Sequence, residues 1–137
     1  MNYDLLGRVM ELVHLDDYYS ETKAWQTRNS VYYALKHGKV LTHYSGDNLT
    51  GYCTYSFFTK EELESNSWDG EVVYSRSGDG ILYFPKFQCR AGRLEVIKFV
   101  KDIQEFMFKN YPDCDGYGDR VYLNGNTRLG KWHRKAA

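Results

Sequence analysis

The chain is poor in proline and cysteine, has no long apolar run, and carries no net charge. Pro85 and Pro112 are the only prolines in 137 residues. Without any low-complexity run beside them, that scarcity excludes a disordered or Pro-rich linker and argues for a folded chain. Cys53, Cys89 and Cys114 are odd in number and far apart. They make neither a Cys-x-x-Cys pair nor a disulfide framework, which points to reduced thiols in the cytoplasm. No apolar span approaches the roughly 18 residues of a membrane helix, and no basic segment leads into an apolar run at the N-terminus. Transmembrane and secretory readings fail on that ground. Lys plus Arg and Asp plus Glu are equal at 18 each, so no global field draws the chain to nucleic acid or membrane.

What is present suits a single domain over residues 1–137, since cores of roughly 100–150 residues are the commonest size. Hydrophobic residues make up 42% and aromatics 17%, with 13 Tyr, as expected of a sheet with large half-buried side chains. Charge is unevenly placed. Residues 1–25 hold five acidic and two basic side chains, whereas 120–137 hold five Lys/Arg and no acid. A basic tail either contacts phosphate or an acidic partner, or is simply a solvated helix face.

Leu5, Leu6, Val9, Met10, Leu12 and Val13 recur at helical spacing and predict a first helix, interrupted at Asp16-Asp17-Tyr18-Tyr19. Ser20 is the expected cap of a second helical segment that turns Ala24, Val31 and Leu35 inward and ends near His37-Gly38. Its polar middle, Thr27–Ser30, allows a split into two short helices. Lys39–Tyr44 and Leu49–Phe58 are β-rich and flank the turn residues Ser45-Gly46-Asp47-Asn48, which predicts an antiparallel hairpin. Thr59 and Glu62 have capping-box spacing ahead of a short helix, Lys60–Glu64. Glu71–Tyr74 reads as a brief strand.

The centre of the chain is a strand Ile81–Gln88, a loop Cys89–Arg93, and an amphipathic helix Leu94–Phe108. A strand that feeds a helix N-terminus through a partly basic loop is a ready anion site, because the first helical N–H groups lack intrahelical partners. Pro112 ends the helical region. Tyr111–Asp119 reads as a loop, Arg120–Asn124 as a strand parallel to the first, and Thr127–Lys135 as a last helix capped by Asn126 or Thr127. The fold class is therefore α+β, a mixed central sheet with an antiparallel hairpin and a strand–helix–strand crossover.

That order of elements resembles the GNAT superfamily of N-acetyltransferases. The family's phosphate loop reads Gln or Arg, two variable residues, Gly, one variable residue, then Gly or Ala. Gln88-Cys89-Arg90-Ala91-Gly92-Arg93 matches its first position and carries its one glycine a place late. Asn126 fits the family's Asn after the next strand, and His133 stands where its Tyr falls seven residues on. The family's final strand pair has no counterpart before Ala137, which implies an acetyltransferase-like domain with a truncated C-terminus. Leu6-Gly7, Gly51-Tyr52-Cys53-Thr54-Tyr55, Trp68, Gly78-Asp79 and Ile81–Phe87 are similar to the branch that activates toxins by acylating lysine from acyl carrier protein. That branch's His falls near Tyr19 here and its Asp near Tyr83; His14 is close but misplaced. Val121–Leu129 is similar to small acetyltransferase-like proteins of tailed phages that serve virion assembly.

The resemblance implies CoA or acyl-CoA as cofactor, held by Gln88, Arg90, Ala91, Gly92, Arg93 and Asn126, with His133 as proton donor to the leaving thiolate. Glu71 or Asp79 would deprotonate an incoming amine. It implies a protein partner, in a virion or as substrate, and acyl carrier protein as a possible donor, in the host cytoplasm or a virion. The ordinary alternatives stand beside each of these. Cys89–Arg93 can be a plain strand-to-helix turn, His133 a surface His on a basic helix, His43 a structural strand His, and Cys53 a small core residue. Asp113, Asp115 and Asp119 lack the terminal Glu of a calcium loop and read as turn formers. Aromatic and basic residues at the C-terminus (Tyr122, Arg128, Lys131, Trp132, Arg134) have the chemistry to stack on single-stranded nucleic acid, which the zero net charge disfavours. Two functions follow: a divergent accessory protein with weak or no catalysis, or an active N-acyltransferase acting on a lysine or amine.

Overall fold

The computed structural model describes residues 2–15, 21–65, 67–78, 80–121 and 127–133. In order these form α1 (Tyr3–His14), α2 (Glu21–Lys36), β1 (Val40–Ser45), β2 (Asn48–Phe58), α3 (Lys60–Ser65), α4 (Gly70–Tyr74), β3 (Ile81–Cys89), α5 (Arg93–Asn110), β4 (Gly116–Val121) and β5 (Thr127–His133). The class is α+β. Among the described residues no helix is long and apolar enough to cross a membrane.

The five strands lie in sequence order, β1-β2-β3-β4-β5. All neighbours are antiparallel except β3 and β4, which α5 joins as a crossover. β2 is buried on both faces. Cys53, Tyr55 and Phe57 meet Phe99, Ile103 and Met107 of α5 on one side. On the other, Tyr52 packs with Leu6, Val9 and Val13 of α1 and Val31 of α2, and Phe58 packs with Val73 of α4. Two polar residues of β2 face that second layer and are satisfied by α4. Thr54 Oγ1 lies 2.9 Å from the Tyr74 hydroxyl, and Ser56 Oγ donates to the Val73 carbonyl at 2.6 Å. Burial pushes the Tyr74 phenol well above its ordinary value.

The β2–β3 ladder contains a bulge that decides where β3's side chains point. Thr54 pairs with Lys86 and Ser56 with Tyr83, so Phe84 and Pro85 together oppose Tyr55. Leu82 N–H turns toward β4, where it donates to the Asp115 carbonyl at 3.0 Å. Pro85 has no amide hydrogen to give to either neighbouring strand, and a bulge is where such a residue fits. The extra residue resets the alternation. Phe84 and Phe87, three apart, both belong to the α5 layer, while Gln88 pairs with Tyr52 on the α1 layer. The parallel ladder to β4 covers Leu82–Phe84 against Gly116–Gly118, and β3 runs on to Cys89 beside β2 alone.

The expected hairpin forms, with a two-residue turn at Gly46-Asp47. Both capping-box bonds at α3 are made, Thr59 N–H to Glu62 Oε1 at 2.7 Å and Glu62 N–H to Thr59 Oγ1 at 3.1 Å. α2 is one continuous helix over Glu21–Lys36; its proposed cap Ser20 lies outside the described residues.

Three expectations are corrected. Residues 70–74 form helix α4 rather than a strand, because Asp69 Oδ1 caps it by accepting from the amides of Glu71 (2.9 Å) and Val72 (3.2 Å). The strand expected at Arg120–Asn124 begins earlier, at Gly116, drawn in by pairing with Leu82–Phe84. The last helix expected over Thr127–Lys135 is strand β5, antiparallel to β4 with Gly130 opposite Gly118. A mid-helix glycine costs about 1 kcal/mol, whereas a ladder with β4 satisfies the backbone of both strands.

Arg76 ties the α3–α4 side together. Its guanidinium meets Glu62 at 2.5 and 2.8 Å, and also donates to the Phe57 carbonyl at 3.0 Å. That bidentate pair holds the Glu62 carboxyl down at about 2, against a usual 4.5. A depressed carboxylate stabilises the fold fully above its unfolded pKa and loses that contribution as pH falls through its folded one. The Glu62→Gln variant is thus predicted to lose about 1 kcal/mol at neutral pH. Urea melts followed from pH 7 to pH 2 should show its deficit disappearing below pH 4.5.

Candidate functional site

The β3–α5 loop is the place where sequence chemistry and topology converge. α5 starts at Arg93 with Gly92 as cap, and the Gly92 carbonyl accepts from the amides of Glu95 (2.9 Å) and Val96 (3.1 Å). The amides of Arg93 and Leu94 stand at the open end of the helix, where the macrodipole favours negative charge. To that extent the loop has the form of an anion site.

Its Gln88 and Arg90 side chains are committed elsewhere. Gln88 is buried, and its Nε2 donates to the Leu12 carbonyl at 2.7 Å. Arg90 N–H donates to the Thr50 carbonyl at 2.7 Å, and its guanidinium to the Leu15 carbonyl, also at 2.7 Å. Leu12 and Leu15 carry carbonyls at the C-terminal end of α1, and that of Leu12 also accepts from the Leu15 amide at 3.2 Å. Two of the predicted ligand residues thus close the C-terminus of α1. Arg93 is exposed and reaches no acid among the described residues.

The first turn of α5 also carries its own carboxylate. Glu95 is hydrogen-bonded by the Ser45 hydroxyl, which lies 3.1 Å from Thr50 Oγ1. Glu95 Oε1 is 3.6 Å from His43 Nε2. The Ser45 hydrogen bond, with smaller help from His43 and Lys98, holds the Glu95 carboxyl below its ordinary range. His43 is 7% exposed, and its ring stacks on Phe99 with centroids 5.3 Å apart. Sequence reasoning treated His43 as a strand residue and missed its link to Glu95. The signal was the residue type itself: an acid in the first turn of a helix seeks either the dipole or a donor across from it.

Gly51 seats α5 here. It lies between His43 of β1 and Cys89 of β3 on one row of the sheet. A Cβ on Gly51 would come within 3.1 Å of the Phe99 ring and 3.2 Å of Cys89 Sγ. Burial pushes the Cys89 thiol up, the Ala91 amide works against that, and Glu95 adds to it. A thiol kept protonated is a poor nucleophile. Cys53 is fully buried and shifted the same way, so it behaves as a core residue.

The remaining predicted residues are not gathered at the loop. His133 pairs with Gly116, whose other neighbour is Leu82 near the start of β3. The loop lies at the far end of that strand, ~20 Å away at the usual rise per residue. Glu71 sits across the sheet from α5, bonded to Lys36 Nζ at 2.9 Å. Asn126 and Asp79 lie outside the described residues. Beside the end of α1, an open groove of about 320 Å³ is lined by Arg8, Glu11, Leu12, Leu15 and residues 47–49. Its mixed charges favour no one ligand sign.

No protein-family model matches the chain, and a search of curated proteins likewise finds no match.

Two substitutions probe this arrangement. Gly51→Val should cost about 1–3 kcal/mol in chemical denaturation, since neither the Phe99 ring nor the sheet has room to yield. Arg90→Ala should leave the core intact and speed amide hydrogen exchange selectively in the last turn of α1, because Leu15 loses its donor.

Proposed function

We propose that this chain is a divergent acetyltransferase-like domain that has lost coenzyme binding and works as a protein-binding component. The resemblance to phage proteins suggests a virion-assembly or accessory role. One observation carries this reading. Gln88 and Arg90, the two polar side chains best placed to hold a phosphate, are bonded to the carbonyls of Leu12 and Leu15. A pyrophosphate arriving at the loop would have to displace Arg90 from Leu15 and share the first turn of α5 with the Glu95 carboxylate, which is repulsive. The raised Cys89 thiol removes the nearest nucleophile.

A second reading, an N-acyltransferase using acyl-CoA or acyl carrier protein on a lysine or amine, is favoured by a different observation. The parallel pairing of β3 and β4 stops at Phe84 and Gly118, and β3 runs on past β4 to the loop that opens onto the amides of Arg93 and Leu94. Ligands of sheets with parallel strands enter at the carboxyl ends of those strands. In that reading Arg90, Gly92 and Arg93 hold the phosphates, and His133 is the acid.

Thermal-shift measurements with CoA, acetyl-CoA and acyl carrier protein separate the two. The accessory reading predicts no shift with any of them. Stabilisation reaching ~2.7 kcal/mol at a hundredfold excess over Kd, abolished in the Arg90→Glu/Arg93→Glu variant, would establish the second reading.

A further inference from the structure

The outward side of α5 has a composition that its structural role does not require. Phe99, Ile103 and Met107 face the sheet and are fully buried. Leu94 and Ile97 stand on the opposite side, 82% and 45% exposed. They are three residues apart and therefore adjacent on the helix surface. Arg93, Lys98 and Lys101 are exposed around them, and among the described residues none of the three makes an ion pair. Residues 93–101 contain a single acid, Glu95, and its carboxylate is turned onto Ser45 and His43. The result is an apolar pair flanked by three cations that make no ion pair among the described residues, at the positive end of the helix dipole.

We propose that this surface docks an acidic, amphipathic helical segment of a partner protein. Apolar residues of that segment, spaced three or four apart, would cover Leu94 and Ile97, and its carboxylates would meet Arg93, Lys98 and Lys101. This deepens the protein-binding reading by naming the chemistry of the partner. It does not depend on the loop being free of coenzyme. A protein segment fits better than a lipid surface for two reasons. The broad apolar face of α5 is locked against the sheet, which leaves Leu94, Ile97 and Phe108 as the exposed large apolar residues of the helix, too few for a bilayer-inserting face. Asp102 and Glu105, exposed in the following turn, oppose an extended anionic surface.

The test is fluorescence anisotropy with a labelled helical peptide carrying Leu at every third or fourth position and Glu between them. A second peptide has Lys in place of every Glu. The acidic peptide should bind, weaken as salt is raised, and lose about tenfold or more in affinity to Leu94→Ser/Ile97→Ser. Lys98→Glu/Lys101→Glu should lose as much without touching an apolar residue, and both variants should melt as the parent does. Binding of the two peptides alike, or binding unmoved by both variants, would overturn the proposal. So would tighter binding to anionic phospholipid vesicles, or self-association through this face that excludes the peptide. A positive coenzyme shift alongside peptide binding would refute the accessory reading and leave this one standing.

Discussion

The bulge at Phe84-Pro85 is the constraint on which the arrangement of the molecule depends. Pro85 has no amide hydrogen to contribute to the ladder, and the extra residue there shifts the parity of everything that follows in β3. Because of that shift, Phe87 and Cys89 join the α5 layer while Gln88 turns to α1. With unbroken alternation Gln88 would fall on the same side as Leu82 and Phe84, in the apolar layer beneath α5, and the Leu12 carbonyl would lose its bond from the Gln88 side-chain amide. The departure of β4 from β3 begins at the same place, at Phe84.

From there the contacts follow in order. Phe99 seats on Gly51, which brings the first turn of α5 over the ends of β1 and β2. That puts Glu95 within reach of Ser45 and His43, and leaves Leu94, Ile97 and the neighbouring cations on the outside. One helix start thereby turns its carboxylate toward its own sheet and its cations toward solvent. The loop before it closes α1 through Gln88 and Arg90. These links are local and polar, and they give residues that look like ligand residues in sequence a structural task.

Much of this was legible before the structure. The hairpin, the Thr59–Glu62 capping box and the strand–loop–helix at Ile81–Phe108 rest on strong periodicity and turn chemistry, and they formed as expected. Where the reading failed, a tertiary partner or a cap outweighed local pattern. Asp69 makes a helix of a segment whose Val72-Val73-Tyr74 reads as β. Pairing with β4 makes a strand of Thr127–His133 despite a plausible cap before it. The inward turn of Gln88 was hidden for a different reason: parity after a bulge depends on the partner strand, which sequence spacing does not reveal.

The central claim is that Gln88 and Arg90, at the β3–α5 loop, are committed to the end of α1. Amide chemical-shift mapping addresses it most directly, with acetyl-CoA titrated into isotope-labelled protein and the resonances of residues 88–96 followed. That commitment predicts that these amides, and those of the last turn of α1, do not move. Saturable shifts confined to Ala91–Val96, with the α1 turn responding as Arg90 is released, would contradict it.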